Sequence, residues 1–510
     1  MSKKLYTLLI YILSYITAQA QNLTDSLNYH LDIQTSNASG ITPLWLNANK
    51  HGLSSLRTDN SYVRVALERT SASDPNRKWE LGYGIDLVKA QHFTSDFILQ
   101  QAYIEGRWLK GTLTIGSKEY PMELKNQRLS SGSQTFGINA RPIPQVRIAL
   151  PEYWTLPFAK GWFQIKGSVS FGWLTDNSWQ RDFTDCKSNY TQNTLMHTKA
   201  GYMRIGKDNR PLSVELGLEM AVNFGGTSYK RNPDGSMISF KNGSGIDSYW
   251  KAFIPGGSDV NETDYRNVMG NQLGSWVMRI NYDTKNWTAR LYGEKFFEDH
   301  SSMFMLDYDG YGSGDQWDER VKSRYYVYDL KDMMVGLELN LKHFKPVRNI
   351  VLEYLYTKYQ SGPLYHDHTP SISDHVSGLD DFYNHSLFSG WQHWGQVIGN
   401  PLYRSPIYNT DGTIKVQDNR FVAWHAGIDG TILSGLDYRV LASIQQGLGT
   451  YSMPYVRPQY NRSYLLEVNY QPPFKGFKGW SITAAYGWDR GAILGNNRGV
   501  QFTISKRGTL

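Results

Sequence analysis

Cysteine is almost absent: Cys186 is the single one in 510 residues. An internal disulfide is thereby excluded, and stability must come from backbone pairing and packing. Long apolar runs are missing too. Mean hydropathy is −0.49, and the one extended run, 5–16, is too short to cross a bilayer as a helix. Charge of one sign is in small excess. A net +7 on this length points away from nucleic acid and permits only a mild attraction to anionic glycans or lipid head groups. The chain also lacks an HExxH pattern, a GxSxG elbow and a phosphate-binding glycine loop, so nothing in it argues for an enzyme or a cofactor. No change in composition marks a domain boundary.

What the chain has is strand texture. Leu212, Val214, Leu216, Leu218, Met220, Val222 and Phe224 alternate with Ser213, Glu215, Gly217, Glu219, Ala221 and Asn223. The same two-residue period runs through Tyr464–Tyr470, 481–489 and 500–505. Segments of about ten residues, apolar on one face with Tyr or Trp at the ends, suit a lipid-facing β-barrel with a polar interior. Strands are expected near 27–35, 61–69, 78–91, 97–107, 111–119, 144–150, 162–174, 194–205, 211–224, 274–283, 286–297, 325–342, 349–360, 419–431, 435–448, 460–470, 479–490 and 498–506. That makes about eighteen antiparallel strands, with every short turn on one side and the long segments 120–143, 175–194, 225–273, 299–324, 361–417 and 449–460 on the other. An even count returns both termini to the short-turn side. A soluble two-sheet sandwich would explain the alternation equally well. It would not explain that long–short rhythm together with Glu215, Glu219, Arg290, Glu294, Glu353 and Glu467 opposite the apolar face.

Lys3-Lys4, the apolar run and Thr17-Ala18-Gln19-Ala20 form a secretory signal over 1–20, read in preference to a buried N-terminal helix. Residues 21–510 are then one outer-membrane β-barrel. The segment 361–417 is far longer than an ordinary connection. Its Phe382, Tyr383, Phe388, Trp391, Trp394, Tyr403 and Tyr408 give it surface to bury, so it is expected to be a folded surface loop. Long loops of this kind fold over or into the barrel mouth.

Four stretches go beyond generic texture: TPLWLNANKHGLSS at 42–55, RLSSGSQTFGINARPIP at 128–144, YGEKFFEDHSSMF at 292–304 and WGQVIGNPLYRSP at 394–406. In that order they resemble the Wzi family of capsule-assembly proteins, in the form found in Bacteroidetes, over essentially the whole mature chain. The resemblance implies an outer-membrane lectin that holds capsular polysaccharide at the cell surface without chemical change. Outer-membrane lipid, lipopolysaccharide and capsule export machinery are the further partners it allows, and a monomer is expected. Enteric members of the family are closed on the periplasmic side by helices, and little sequence between Gln21 and the first strand is left to supply them.

The residues themselves fit a sugar site, which wants flat aromatic surface beside bidentate polar groups. Trp391, Trp394, Tyr383 and Tyr403 are candidate platforms. Arg404 and Arg141 are candidates for carboxylates of acidic sugars, and Asn400 for hydroxyls. For each aromatic the competing reading is the loop's own small core, and Gly395, Gly399 and Pro401 read as loop-shaping. Metal ligation by His366, His368, His375, His385 and His393 around Asp367 has no supporting spacing. The acidic run Asp307, Asp309, Asp315, Asp318 and Glu319 lacks the order of an EF-hand loop. Two rival functions stay open. A diffusion channel is motivated by the charged inner face, and a hydrolase of glycan or lipid by that acidic run, Asp380-Asp381 and the histidines.

Overall fold

The computed structural model describes residues 26–72, 78–254, 270–298, 310–311, 315, 319–321, 332–366, 375–388 and 390–510. Eighteen strands form one sheet. The first six are β1 Asn28–Ser39, β2 Asp59–Arg69, β3 Trp79–Gln91, β4 Phe97–Trp108, β5 Gly111–Ser117 and β6 Gln145–Thr155. Then come β7 Phe163–Trp173, β8 Leu195–Ile205, β9 Leu212–Phe224, β10 Asn271–Asp283, β11 Trp287–Glu298 and β12 Met333–Leu341. The last six are β13 Asn349–Tyr356, β14 Phe421–Leu433, β15 Leu436–Gly449, β16 Pro454–Tyr470, β17 Trp480–Gly491 and β18 Asn497–Thr509.

Each strand pairs antiparallel with the next in the chain, and β18 closes on β1 in a register from Asn28↔Thr509 to Ser39↔Arg498. The sheet is a closed up-and-down barrel, which leaves no open edge. The signal over 1–20 and most of 299–324, including Asp307, Asp309 and Asp318, lie outside the described residues.

The period-2 pattern decides which face each side chain takes. Leu216, Ile482, Tyr486, Trp488, Val500, Phe502 and Ile504 all point outward and stand exposed. Such a continuous apolar exterior is stable against acyl chains and unstable in water. Inward, Glu215, Glu219, Glu294 and Glu353 are buried. Arg279 binds Glu215 at 2.6 Å and Arg290 binds Glu338 at 2.7 Å, so much of the inner charge is compensated across neighbouring strands.

Two expectations shift. The 449–460 segment is mostly strand: β16 starts at Pro454, and the turn is reduced to 450–453. Pro454 is tolerated there because the β15–β16 register breaks between Gly447 and Gly449, where a missing N–H costs no regular ladder bond. Likewise 225–273 carries its own structure. A hairpin, Thr227–Arg231 with Met237–Lys241, is followed by the helix Ile246–Phe253.

Candidate functional site

Two long-side connections, 40–58 and 118–144, and the described residues of 380–420 from a third turn back into the barrel and form a plug. The inner-wall carboxylates hold it. Glu353 on β13 accepts Ser130 Oγ at 2.5 Å, the Ser131 N–H at 2.8 Å and the Tyr292 hydroxyl at 2.6 Å. Glu294 on β11 accepts Ser133 Oγ at 3.1 Å and the Gln134 N–H at 2.8 Å. These carboxylates satisfy the backbone donors that a loop buried inside a barrel would otherwise leave unpaired. The segment 40–58 adds the short helix Leu44–Asn47, whose Trp45 donates from Nε1 to Ser443 Oγ at 3.2 Å and packs on His425 at 4.9 Å.

The described residues of 380–417 are therefore corrected from a loop standing at the surface to one folded into the lumen. Its core is dry. Tyr383 and Tyr403 pack ring on ring at 4.1 Å, with Phe296 and Phe421 against them. Tyr383 donates to the Gln134 carbonyl, Tyr403 to Gln134 Oε1 at 2.9 Å and Trp391 Nε1 to the Thr135 carbonyl at 3.2 Å. Asn400 Nδ2 donates to Ser131 Oγ at 3.0 Å and to the Gly132 carbonyl at 2.8 Å. So Tyr383, Tyr403, Trp391 and Asn400, four of the seven sequence candidates, are buried with partners inside the chain. The reading of loop aromatics as a local core describes where the three rings lie.

The other three are placed differently. Trp394 is partly exposed and carries the Arg141 guanidinium over its ring at 4.3 Å. Arg141 donates from Nη2 to Thr94 Oγ1 at 2.6 Å, while its Nε is buried without a partner. Among the described residues no carboxylate pairs with it, and burial pushes the guanidinium down to about 10. A buried cation balanced only by a ring face is a site with unspent capacity for an anion. Arg404 is committed elsewhere. Its Nη1 donates to Asn409 Oδ1 at 2.6 Å and Gln417 Oε1 at 2.8 Å, and its Nη2 to the Tyr408 carbonyl at 2.8 Å.

The structure brings forward residues that the sequence reading passed over. Trp179 stacks on Phe183 at 4.6 Å on the helix Trp179–Thr184, and the indole lies against Gly395 of the plug. Arg420 sits 3.7 Å over the Tyr451 ring, whose hydroxyl donates to the Tyr359 carbonyl at 2.6 Å. Tyr190, on a short strand Tyr190–Gln192 that pairs with Thr227–Arg231, stacks on Tyr229 at 4.5 Å. A Trp and a Phe four residues apart were the available signal, at a spacing that shares one helix face.

Among the described residues the histidines do not converge. His393 lies between the Arg141 and Thr175 carbonyls, at 3.0 and 3.2 Å, and burial lowers it to about 4. His385 accepts the Leu387 N–H at 3.1 Å. His368 and Asp367 lie outside the described residues, and so do the side chains of His366 and His375. Among the described residues no group of three or more His, Cys, Asp or Glu is arranged to hold a metal. Asp381 is tied to Asn384 at 2.9 Å and to Asn419 at 2.5 Å.

Beneath the plug, against β4 to β8, lies a cavity of about 450 Å³. Lys118, paired with Glu105 at 2.6 Å, and Arg147, stacked on Tyr120 at 4.0 Å, lie on its wall. A second, of about 610 Å³, sits at the short-turn end around Tyr29, Arg64, Asp86 and Arg507.

No family model matches the chain. No curated protein matches it either. Among solved structures it is similar to Wzi of Escherichia coli, described as an outer-membrane protein involved in group 1 capsule assembly and a carbohydrate-binding β-barrel. The TM-score is 0.55 at 11% identity, over 98% of this chain and 88% of that one. The fold is Wzi-like. Pseudomonas aeruginosa OprD (TM-score 0.45, 10% identity, 95% and 94% covered) and OccK5 (0.48, 7%, 96% and 99%) also match. At such identities Wzi shares the barrel with this chain, and what Wzi binds is a property of Wzi.

Proposed function

We propose that this chain is an exported outer-membrane protein that binds capsular or exopolysaccharide without turnover and attaches or organises it at the cell surface. The observation that carries this reading is the plug. A barrel built for diffusion gains nothing from filling its lumen with a hydrogen-bonded core, whereas a binding protein gains a rigid floor for its ligand. The carbohydrate-binding description of the Wzi barrel supports the same reading. Trp179 with Phe183, and Tyr451 with Arg420, offer pyranose C–H faces a flat surface. Trp394 with Arg141 adds a place for a uronate carboxylate, and Arg404 with Asn400 shapes the plug beneath.

The test is binding of the detergent-solubilised chain to isolated capsular polysaccharide, with released sugars assayed in the same tube. Binding with an intact polymer is expected. Trp179→Ala and Trp394→Ala are each expected to weaken it roughly fivefold, the equivalent of ~1 kcal/mol for one aromatic platform. Absence of binding, together with clear single-channel conductance from the same preparation, establishes the diffusion channel instead. Released sugar establishes the hydrolase.

A further inference from the structure

The helix Ile246–Phe253 lies on the outer wall of the barrel. On β7 the even positions Lys166 and Ser168 line the inner cavity, so Phe171 and Trp173 face outward. Phe171 is in register with His197 on β8, and His197 with Val222 on β9. The helix packs on this outward patch. Tyr249 meets Phe171 and Phe224, each at 5.2 Å, and Phe253 meets His197 at 5.6 Å. Ala252 is buried with Val222 and Phe224. Lys199, also outward, donates from Nζ to the Phe253 carbonyl at 2.5 Å, where the last turn of the helix leaves acceptors free. The helix thus covers an imidazole and an ammonium that hydrocarbon would otherwise meet at a free-energy cost.

Along one edge of its exposed surface runs an open apolar stripe. Ile246, Trp250 and Ile254 recur every four residues and are 91%, 61% and 50% exposed, while Asp247 and Lys251 pair at 2.8 Å on the flank. The wall that the helix covers belongs to the lipid-facing belt. Trp173, an exposed aromatic of that belt, lies two residues beyond Phe171 toward the long-loop end. The helix therefore sits no farther from the bilayer centre than the aromatic girdle does.

We propose that Ile246–Phe253 is an interfacial anchor that lays Ile246, Trp250 and Ile254 into the outer-leaflet lipid, at the boundary of head groups and acyl chains. Interfacial helices have this character: a Trp and aliphatic residues on one face, charged residues at its edge. The anchor holds the 225–254 stretch against the side of the barrel, away from its mouth. It depends on the barrel standing in a membrane and is independent of any glycan.

The single native cysteine makes the test direct. In a Cys186→Ser chain, one cysteine at a time is introduced as Ile246→Cys, Trp250→Cys or, at the hairpin tip, Ser236→Cys, and carries an NBD fluorophore. Each chain is reconstituted into phosphatidylcholine–phosphatidylglycerol vesicles with or without brominated acyl chains, and heat-modifiable migration confirms the folded barrel. The expected result is blue-shifted emission at 246 and 250, quenched several-fold more by brominated lipid than at 236 and less by aqueous iodide. Iodide quenching equal to that at 236 would overturn the anchor. Shielding from both quenchers would also overturn it, by assigning the face to a protein neighbour.

Discussion

At the scale of single residues, burial inside the plug changes what a side chain does. Tyr383, Trp391 and Trp394 hold φ of 69°, 36° and 55°, a region costly for bulky residues, and the surrounding packing maintains it. Asp418 accepts the Gly449 N–H at 3.0 Å and Gln445 Nε2 at 3.1 Å, yet burial raises its carboxyl to about 7. The folded state then keeps a proton that the unfolded chain releases near its ordinary 3.8. Asp418 therefore opposes folding increasingly as pH rises from about 4 to 7. His385 and His393, both lowered to about 4, act in the opposite sense: their contribution is present above 6.5 and lost as pH falls toward 4. Asp418→Asn separates the two. Relative to the parent, protection of the 412–420 amides from hydrogen exchange is expected to improve steadily between pH 4 and 7 and then level off. A pH-independent difference would show that Asp418 does not titrate in the fold.

At the scale of elements, strands were legible in the sequence and loops were not. A strand has a two-residue period, so Leu216 outward and Glu215 inward follow from the order of residues alone. Loop aromatics have no such period, and nothing local says that Trp391 turns inward while Trp394 reaches the edge. The partners of the plug residues also lie far off in sequence, as with Asn400 and Ser131, 269 positions apart. Glycine was read correctly as shaping the 394–406 loop, but the reason is close approach of two backbones. A Cβ on Gly399 would meet the Gln134 carbonyl and the Tyr383 hydroxyl, and one on Gly137 would lie 2.6 Å from the Gly399 carbonyl. Gly399→Ala and Gly137→Ala are expected to cost the plug ~1–3 kcal/mol by overpacking. Faster chymotrypsin cleavage within 384–417 should follow, with the barrel still heat-modifiable. Gly476→Ala, which meets nothing within 4 Å, should leave cleavage unchanged and serves as the control.

At the scale of the whole molecule, a closed sheet of eighteen strands encloses more space than its own inner side chains fill. Something must occupy that space, and water is one answer and folded chain is another. Here the buried inner carboxylates answer the question locally. Glu294 and Glu353 are nearly inaccessible, and each spends its oxygens on plug donors that water would otherwise have to supply. Charge on an inner wall was the feature that made a channel attractive from sequence. In the fold, these charges fix a floor. The consequence is measurable in planar bilayers. The parent chain should pass little current, whereas replacing 382–417 with a short Gly-Ser linker should raise conductance several-fold, because the 118–144 loop then loses its packing against Tyr383, Tyr403 and Asn400. A parent that already conducts as strongly as the linker variant would mean that the plug leaves an open path, and the inner carboxylates would then be lining a pore.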